Sequence, residues 1–293
     1  MIYTVENEFL KVSVTTAGAQ VCSVIRKSDG VEHIWQADPA VWGWHGPILF
    51  PYTGKLQEGR MRCRGRICEG PQHGFARRSE HRLVRQTDTE LVLELTESPG
   101  TLSQWPFRFR LESRFILDGD RLIHRLTVEN RDEAEMRFGI GFHPAFAVPF
   151  DGTHTAEDYE LCFDRPQSPL CLNTMPRGFL TGETYYLCKN TRAIPLSKEL
   201  FANDSHCMTG LTAKTLSLRE RDTGRAVECE LTGFPYTLIW SKPDWPMRFV
   251  CIEPWMSLPA AEADSIDWDD RAAAAVLAPG SCWHVDLRTR FVR

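Results

Sequence analysis

The chain has 293 residues, and its formal net charge at pH 7 is −5. This charge provides no general attraction to nucleic acid or to an anionic membrane, so neither is expected as a partner. No apolar run approaches the roughly 20 residues that a spanning helix needs, and the first residues lack the pattern of a secretory signal, so we expect a cytoplasmic protein.

Apolar and polar residues alternate along much of the chain, which is the period of a strand with one buried face. The clearest alternating sets are Leu10-Val12-Val14, Leu91-Leu93-Leu95, Phe107-Phe109-Leu111, Phe115-Leu117, Leu122-Leu126-Val128, Leu216-Leu218 and Val227-Cys229-Leu231. Turn residues at 118–120 and 222–224 separate consecutive sets and predict hairpins.

Arginines at every second position from 60 to 66 predict a single strand with all four guanidinium groups on one face. Such a face could bind phosphate or nucleic acid, or it could simply be solvated. We favour the solvated face because the chain is net negative and no aromatic residue interrupts the row.

Helix is expected to be scarce. Residues 197–201 can form one turn, and 269–277 are alanine-rich, but neither has the length or the apolar stripe of a core helix.

The irregular stretch 151–198 is interpreted as a long excursion of the same domain. Many alternating strands joined by short turns favour antiparallel sheets packed face to face. The sequence therefore predicts an all-β antiparallel sandwich, with residues 1–293 as one domain.

Ten cysteines are scattered along the chain, and none forms a Cys-x-x-Cys pair. A zinc ribbon or thioredoxin-type motif is therefore absent, and reduced, mostly buried thiols are expected. Cys251 should share a strand face with Glu253, because the two are two residues apart. We interpret Cys251 as part of a pocket wall and not as a nucleophile.

Three short segments, 72–77, 141–146 and 251–255, each contain an ionisable side chain among glycine, proline and aromatic residues. The side chains are those of His73, His143 and Glu253. Two imidazoles and a carboxylate are sufficient to move protons at neutral pH. His143 and Glu253 each precede a proline, which favours extended backbone and cannot continue a central ladder. Both are therefore predicted at strand ends, facing a cleft.

Each of these residues also has a purely structural interpretation. His73 or His143 can be a turn histidine bonded to a neighbouring carbonyl. Glu253 is the strongest candidate, because it follows the apolar run 249–252 and a carboxylate is rarely buried without a partner.

Five aromatic residues lie in or near these segments, and aromatic faces bind the C–H-lined face of a pyranose well. Tryptophan in a sandwich core is equally ordinary, so they are supporting evidence only. The five are Trp42, Trp44, Phe75, Trp240 and Trp255.

Two other chemistries match part of this residue set. Two histidines and a glutamate match some zinc and non-haem iron sites, but those sites usually draw two ligands from one local motif, which is absent here. No metal is therefore expected. A glycosidase would need two carboxylates flanking the bond, and only Glu253 has a suitable setting.

Four segments, 47–54, 73–77, 141–144 and 251–255, occur in an order and spacing that resembles the aldose 1-epimerase (galactose mutarotase-like) superfamily. The resemblance is nearest to its bacterial LacX-type branch and covers residues 18–280. It implies a single-domain β-supersandwich and a cofactor-free enzyme. That enzyme would interconvert the α and β anomers of a free aldose, so a small sugar is the expected partner.

The resemblance also implies roles for individual residues. Glu253 matches the general base that takes the proton from the C1 hydroxyl. His143 matches the acid that protonates the ring oxygen, and His73 matches a second histidine on that side. The residues expected to bind substrate are Trp42, Lys55, Phe75, Arg77 and Trp255.

The chain departs from the family pattern in two places. The family's asparagine- and arginine-containing motif is replaced by Gly54-Lys55-Leu56, so Lys55 is a substitute candidate. An aspartate that grips sugar hydroxyls has no convincing match between His143 and Glu253. Arg77 is similar to an arginine of hexose-6-phosphate epimerases and can clamp a phosphate. A hexose-6-phosphate 1-epimerase and a sugar-binding or sensing protein with little turnover therefore stay open.

Overall fold

The computed structural model describes residues 1–293 and contains 23 strands, one short α-helix and four single 3-10 turns. The strands are β1 (Ile2–Glu6), β2 (Leu10–Thr15), β3 (Gln20–Arg26), β4 (Val31–Glu32), β5 (Arg60–Cys63), β6 (Arg66–Glu69), β7 (Arg82–Gln86), β8 (Glu90–Thr96), β9 (Phe109–Asp118), β10 (Arg121–Asn130), β11 (Met136–Phe138), β12 (Ala145–Ala147), β13 (Tyr159–Gln167), β14 (Leu170–Leu172), β15 (Thr184–Tyr186), β16 (Thr191–Pro195), β17 (His206–Thr209), β18 (Thr215–Glu220), β19 (Ala226–Glu230), β20 (Tyr236–Trp240), β21 (Phe249–Trp255), β22 (Ala275–Leu277) and β23 (Cys282–Val292). The helix is α1 (Pro99–Gln104). None of its helices has the length and apolar character needed to cross a bilayer.

Two large sheets dominate the architecture. The nine-stranded sheet has the order β16-β13-β18-β19-β23-β10-β9-β8-β7, and the six-stranded sheet has the order β12-β21-β20-β17-β14-β15. A four-stranded sheet, β1-β2-β3-β4, and two two-stranded ribbons complete the fold. Neighbouring strands are antiparallel in both large sheets, which confirms the predicted all-β antiparallel class.

The alternating pattern places the core as predicted. In β9 and β10 every second residue is buried, and the two strands join through a two-residue turn in which Asp118 pairs with Arg121. Gly119 supplies the positive φ of +57° that this tight turn needs. The main apolar cluster draws residues from the whole chain, from Val5 to Phe291. Burial of such faces is the chief stabilising term, at about 25 cal/mol per Å².

One local prediction was wrong, and two short elements were not predicted. Arg60–Arg66 is not one strand but the hairpin β5–β6, with its turn at Arg64 and Gly65, which both have positive φ. The alanine-rich stretch 269–277 ends in the strand β22. The one true helix, α1, was not predicted; it starts at a Ser98 cap with Pro99 in the first helical position.

The stretch 151–198 is more regular than predicted. It supplies β13 and β16 to the nine-stranded sheet, and β14 and β15 to the six-stranded sheet.

Candidate active site

Seven of the eight predicted site residues line one cavity of about 370 Å³, which opens on the face of the six-stranded sheet. This volume is within the range of small-molecule clefts, about 300–1,000 Å³. The seven are Trp42, Lys55, His73, Arg77, His143, Glu253 and Trp255. The fold thus brings together side chains that are up to about two hundred residues apart in the chain.

Phe75 is the exception. Its ring is buried in the core and packs against Phe50 and Phe109, at centroid distances of 6.0 and 5.7 Å. The left-handed backbone of the two preceding residues, His73 and Gly74, turns the chain at this point. Phe75 therefore supports the loop from below and does not line the cavity.

Glu253 lies inside β21, two residues before its end, and not at the end of the strand as predicted. The Pro254 carbonyl accepts a hydrogen bond of 3.0 Å from the Phe142 N–H. Proline is tolerated here because β12 pairs with β21 only as far as Cys251, so the Pro254 nitrogen interrupts no bond to β12. The Glu253 side chain is only 2 % exposed although it faces the cavity.

His143 lies in the short loop between Gly141 and β12 (Ala145–Ala147), close to a strand end as predicted. Gly141 forms bridges to Leu49 on one side and Trp255 on the other. A Cβ atom at Gly141 would approach the Trp255 Cδ1 to 2.7 Å, so glycine is required by this close contact. The bridges fix the loop, and with it the imidazole that follows.

The imidazole of His143 faces the carboxylate of Glu253. Its Nε2 is 3.4 Å from the Glu253 Oε2, and its ring stacks on Trp42 at a centroid distance of 5.2 Å. This separation is slightly long for a hydrogen bond, as is common for catalytic pairs without substrate. The buried imidazole and the buried carboxylate thus share one cavity.

Burial disfavours the charged form of both groups. It raises the pKa of Glu253 well above its usual value, with a further contribution from the nearby charge of Asp204. Burial, and then the charge of Arg77, lowers the pKa of His143 to about 3. The attraction between the two groups at 3.4 Å opposes this effect. Burial thus favours the proton of the pair on Glu253, whereas the attraction between a carboxylate and an imidazolium favours the same proton on His143.

His73 lies in a turn with φ +66°, a strained value for a residue other than glycine. Its Nδ1 accepts a hydrogen bond of 3.0 Å from the Gly54 N–H, so the neutral ring carries its proton on Nε2. Burial, followed by the charges of His143 and Arg77, lowers the pKa of His73. The ring is perpendicular to that of His143 at 5.8 Å. His73 is therefore neutral, and its Nε2 already lies 3.1 Å from the side-chain amide nitrogen of Gln72.

Two cations in the cavity wall have no carboxylate partner within 4.0 Å. The Arg77 guanidinium lies 4.1 Å above the Trp44 ring, and its Nε is buried without a hydrogen bond. Burial lowers the pKa of Arg77 to about 10. The Lys55 ammonium donates to the Arg177 carbonyl at 2.8 Å. Both cations keep unused N–H groups for a ligand.

Sequence reasoning missed Asp204, which lines the cavity from the turn before β17 (His206–Thr209). It has a left-handed φ of +72°, as His73 does. Its position depends on the pairing of β17 with β14 and β20, and no local pattern marks it. The segment between His143 and Glu253 thus contributes one carboxylate, that of Asp204, to the cavity.

Three side chains of metal-ligating type lie close together at this position. His143, Cys251 and Glu253 present ligand atoms that all lie within 4.8 Å of one another. A thiol must ionise to bind a metal, and burial, with the charge of Glu253, raises the pKa of Cys251 well above its usual value. Cys251 packs in a small apolar cluster with Trp35 and does not line the cavity, so it is not the pocket wall we predicted.

Comparison with known proteins identifies the class. Residues 1–286 match the family model of aldose 1-epimerase, so the chain belongs to this family. It is 29% identical over 294 residues to the plasmid form of protein LacX from Lactococcus lactis subsp. lactis, with 95% of each chain covered. These matches confirm the resemblance to the LacX branch.

Two solved structures are similar over almost their full length. A galactose mutarotase related enzyme from Lactobacillus acidophilus superposes with a TM-score of 0.94 at 27% identity, covering 100% of this chain and 98% of the other. A galactose mutarotase-like protein from Lactobacillus casei superposes with a TM-score of 0.90 at 26% identity, covering 99% of each chain. The fold is therefore that of the galactose mutarotase-like sandwich.

Proposed function

We propose that the protein is an aldose 1-epimerase that interconverts the α and β anomers of a sugar by opening and closing the ring. One observation carries the proposal. The buried imidazole of His143 and the buried carboxylate of Glu253 face each other at 3.4 Å in a cavity of small-molecule size.

The reaction needs a base and an acid at two oxygens of one hemiacetal. Glu253 takes the proton from the C1 hydroxyl, and the electron pair of that O–H bond forms the carbonyl. The bond from C1 to the ring oxygen breaks, and His143 gives a proton to that oxygen. Rotation about the C1–C2 bond presents the other face of the aldehyde, and closure reverses both transfers. The residues return to their starting state, so no cofactor is consumed.

The other cavity residues would bind and orient the sugar. The neutral imidazole of His73 lines the cavity beside His143, with the two ring centroids 5.8 Å apart. Trp42 and Trp255 line the cavity and supply aromatic surface against which the C–H-lined side of a pyranose could pack. Asp204 has a free carboxylate at the cavity, suited to accept bonds from sugar hydroxyls. Holding a substrate in a reactive geometry is a large part of catalysis.

We expect the purified protein to accelerate anomer exchange of at least one aldose above the buffer rate. Saturation-transfer NMR measures this exchange directly, on a panel of free and 6-phosphorylated aldoses. Exchange no faster than buffer for every sugar, with binding detected for one of them, would instead support the sugar-binding or sensing alternative.

A phosphorylated aldose is the second candidate substrate, and the unpaired cations favour it. Lys55 and Arg77 line the cavity and have no carboxylate partner within 4.0 Å, although the chain as a whole is net negative. A bond between a cation and a phosphate is stronger than a neutral hydrogen bond.

Replacing Lys55 by methionine tests this candidate. For a 6-phosphorylated aldose we expect KM to rise about tenfold or more, because a lost hydrogen bond to a charged group costs about 1.5–3 kcal/mol. For the neutral aldose KM should change by less than about twofold. The control is Lys11→Met on the exposed face of β2. Equal effects on both sugars would argue against a phosphate contact at Lys55.

A further inference from the structure

His143 lines not only the large cavity but also a second, smaller cavity of about 30 Å³. Its Nε2 faces Glu253, which lines only the large cavity. Its Nδ1 is buried and has no hydrogen-bond partner in the protein. A buried polar atom of this kind normally has a hydrogen-bond partner, so the unpaired Nδ1 of His143 requires an explanation.

A second buried imidazole lines the same small cavity. His124 lies on β10 (Arg121–Asn130), in the middle of the nine-stranded sheet, and its side chain points inward. Its ring stacks on Phe115 at 4.2 Å and meets the edge of Phe142 at 5.1 Å, which holds the ring in one orientation. The Nε2 of His124 is also buried without a partner in the protein.

The small cavity suits one water molecule. A buried water needs roughly 10–15 Å³ and two to four polar partners, and this cavity has about 30 Å³. The side chains of Ile34, Ile48 and Leu287 make much of the remaining wall apolar. His45 also contributes to the wall, but its Nδ1 is already 2.7 Å from the Trp35 carbonyl oxygen. The two unpaired nitrogens are therefore the natural partners of a water.

We propose that one water molecule bridges the Nδ1 of His143 and the Nε2 of His124, and that His124 is a positioning residue for the proton donor. The Nδ1–H of His143 donates to the water oxygen, and the water donates one of its own hydrogens to the lone pair of His124. This inference rests on the proposed function for its catalytic meaning, but the bridge itself does not depend on turnover.

The bridge has a direct consequence for His143. When Nδ1–H has an acceptor, the protonated ring is stabilised and its second proton on Nε2 is directed into the large cavity. His124 suits the acceptor role because it stays neutral. Burial lowers its pKa to about 3, with a further lowering by His81 and an opposite effect from Asp286.

The first test uses the folded wild-type protein without sugar. Long-range ¹⁵N–¹H NMR of the imidazoles should show a protonated, hydrogen-bonded Nδ1 on His143, and this shift should change in His124→Leu. A high-resolution crystal structure should show a water bonded to both rings. A water bonded to His143 and His45 but not to His124, or an unchanged Nδ1 shift in the variant, would overturn the proposal.

The second test is kinetic. His124→Leu should lower kcat about tenfold with KM unchanged, which is the scale on which a lost outer hydrogen-bond partner of an imidazole acts. In His124→Gln the amide oxygen can accept from the water, so kcat should stay within about threefold of wild type. The control is His33→Leu, because His33 is also buried, has an unpaired Nε2 and lines neither cavity.

These experiments distinguish a failure of the water bridge from a failure of the proposed function. If the protein accelerates no anomer exchange, the proposed function fails, while the NMR and crystallographic results still decide whether the bridge exists. If exchange is catalysed and a folded His124→Leu keeps the full kcat, the positioning role of His124 is excluded.

Discussion

Glu253→Gln should reduce kcat for anomer exchange by about a thousandfold, because general acid–base groups typically contribute 10²–10⁴-fold. Glutamine has the same shape as the buried carboxyl but cannot take a proton from the C1 hydroxyl. Sugar affinity should change little, since the hydrogen-bonding surface of the side chain is largely kept. Saturation-transfer NMR measures the exchange, and titration calorimetry measures the affinity. Only a loss of turnover with binding retained fits a base.

The same variant also makes a prediction about stability. The pKa of Glu253 is raised by burial in the folded protein, so the folded state holds this proton more tightly than the unfolded chain does. Ionisation of Glu253 therefore lowers the free energy of unfolding as the pH rises from the pKa of the unfolded state, about 4.3, to the raised pKa of the folded state. At pH 7 we expect Glu253→Gln to be at least as stable as wild type, with the difference disappearing near pH 4. Thermal melting at both pH values checks this.

The matched control is Glu262→Gln. Glu262 is an exposed carboxylate that pairs with Arg177 at 2.9 Å and does not line the cavity. Its removal should leave kcat within about twofold of wild type, because surface pairs contribute only about 0–1 kcal/mol. A large loss of activity in this control, equal to that of Glu253→Gln, would show that any lost carboxylate near the cavity has the same effect.

His143→Gln should reduce kcat by about a hundredfold or more, since the amide can donate a hydrogen bond but cannot deliver a proton to the ring oxygen. The double variant with Glu253→Gln should be barely slower than the slower single variant, because an acid and a base that act in one step are strongly non-additive. Stopped-flow polarimetry on the wild type, the two single variants and the double variant gives the kcat values of this double-mutant cycle. Fully multiplicative effects would mean that the two residues act in separate steps.

Much of the fold could be predicted because alternating burial is a local property of the sequence. The hairpin at Asp118 and Arg121 follows from a period-two pattern. The buried strand that contains Glu253 follows instead from the continuous apolar run 249–252. The hairpin β5–β6 could not be recognised by the same rule. A two-residue turn keeps the spacing of two, so arginines at 60, 62, 64 and 66 look the same in one strand or in two. Gly65 was the only local indication of the turn.

The site was predictable to the extent that its residues lie in distinctive local motifs. Glu253 and His143 could be found because each precedes a proline in an aromatic setting. Asp204 could not, since it reaches the cavity only through the pairing of distant strands. Phe75 was misplaced for a different reason. Its direction depends on the left-handed torsions of His73 and Gly74, which residue types alone do not reveal.

The hydrogen bond from the Phe142 N–H to the Pro254 carbonyl joins the two halves of the reaction centre through backbone alone. Side chains elsewhere around the opening can therefore be substituted without altering the distance between His143 and Glu253. Thr174 and Asp204 also line the cavity, on segments that this bond does not join. Substitutions on those segments can therefore change the shape of the opening while the backbone link between residues 142 and 254 is kept.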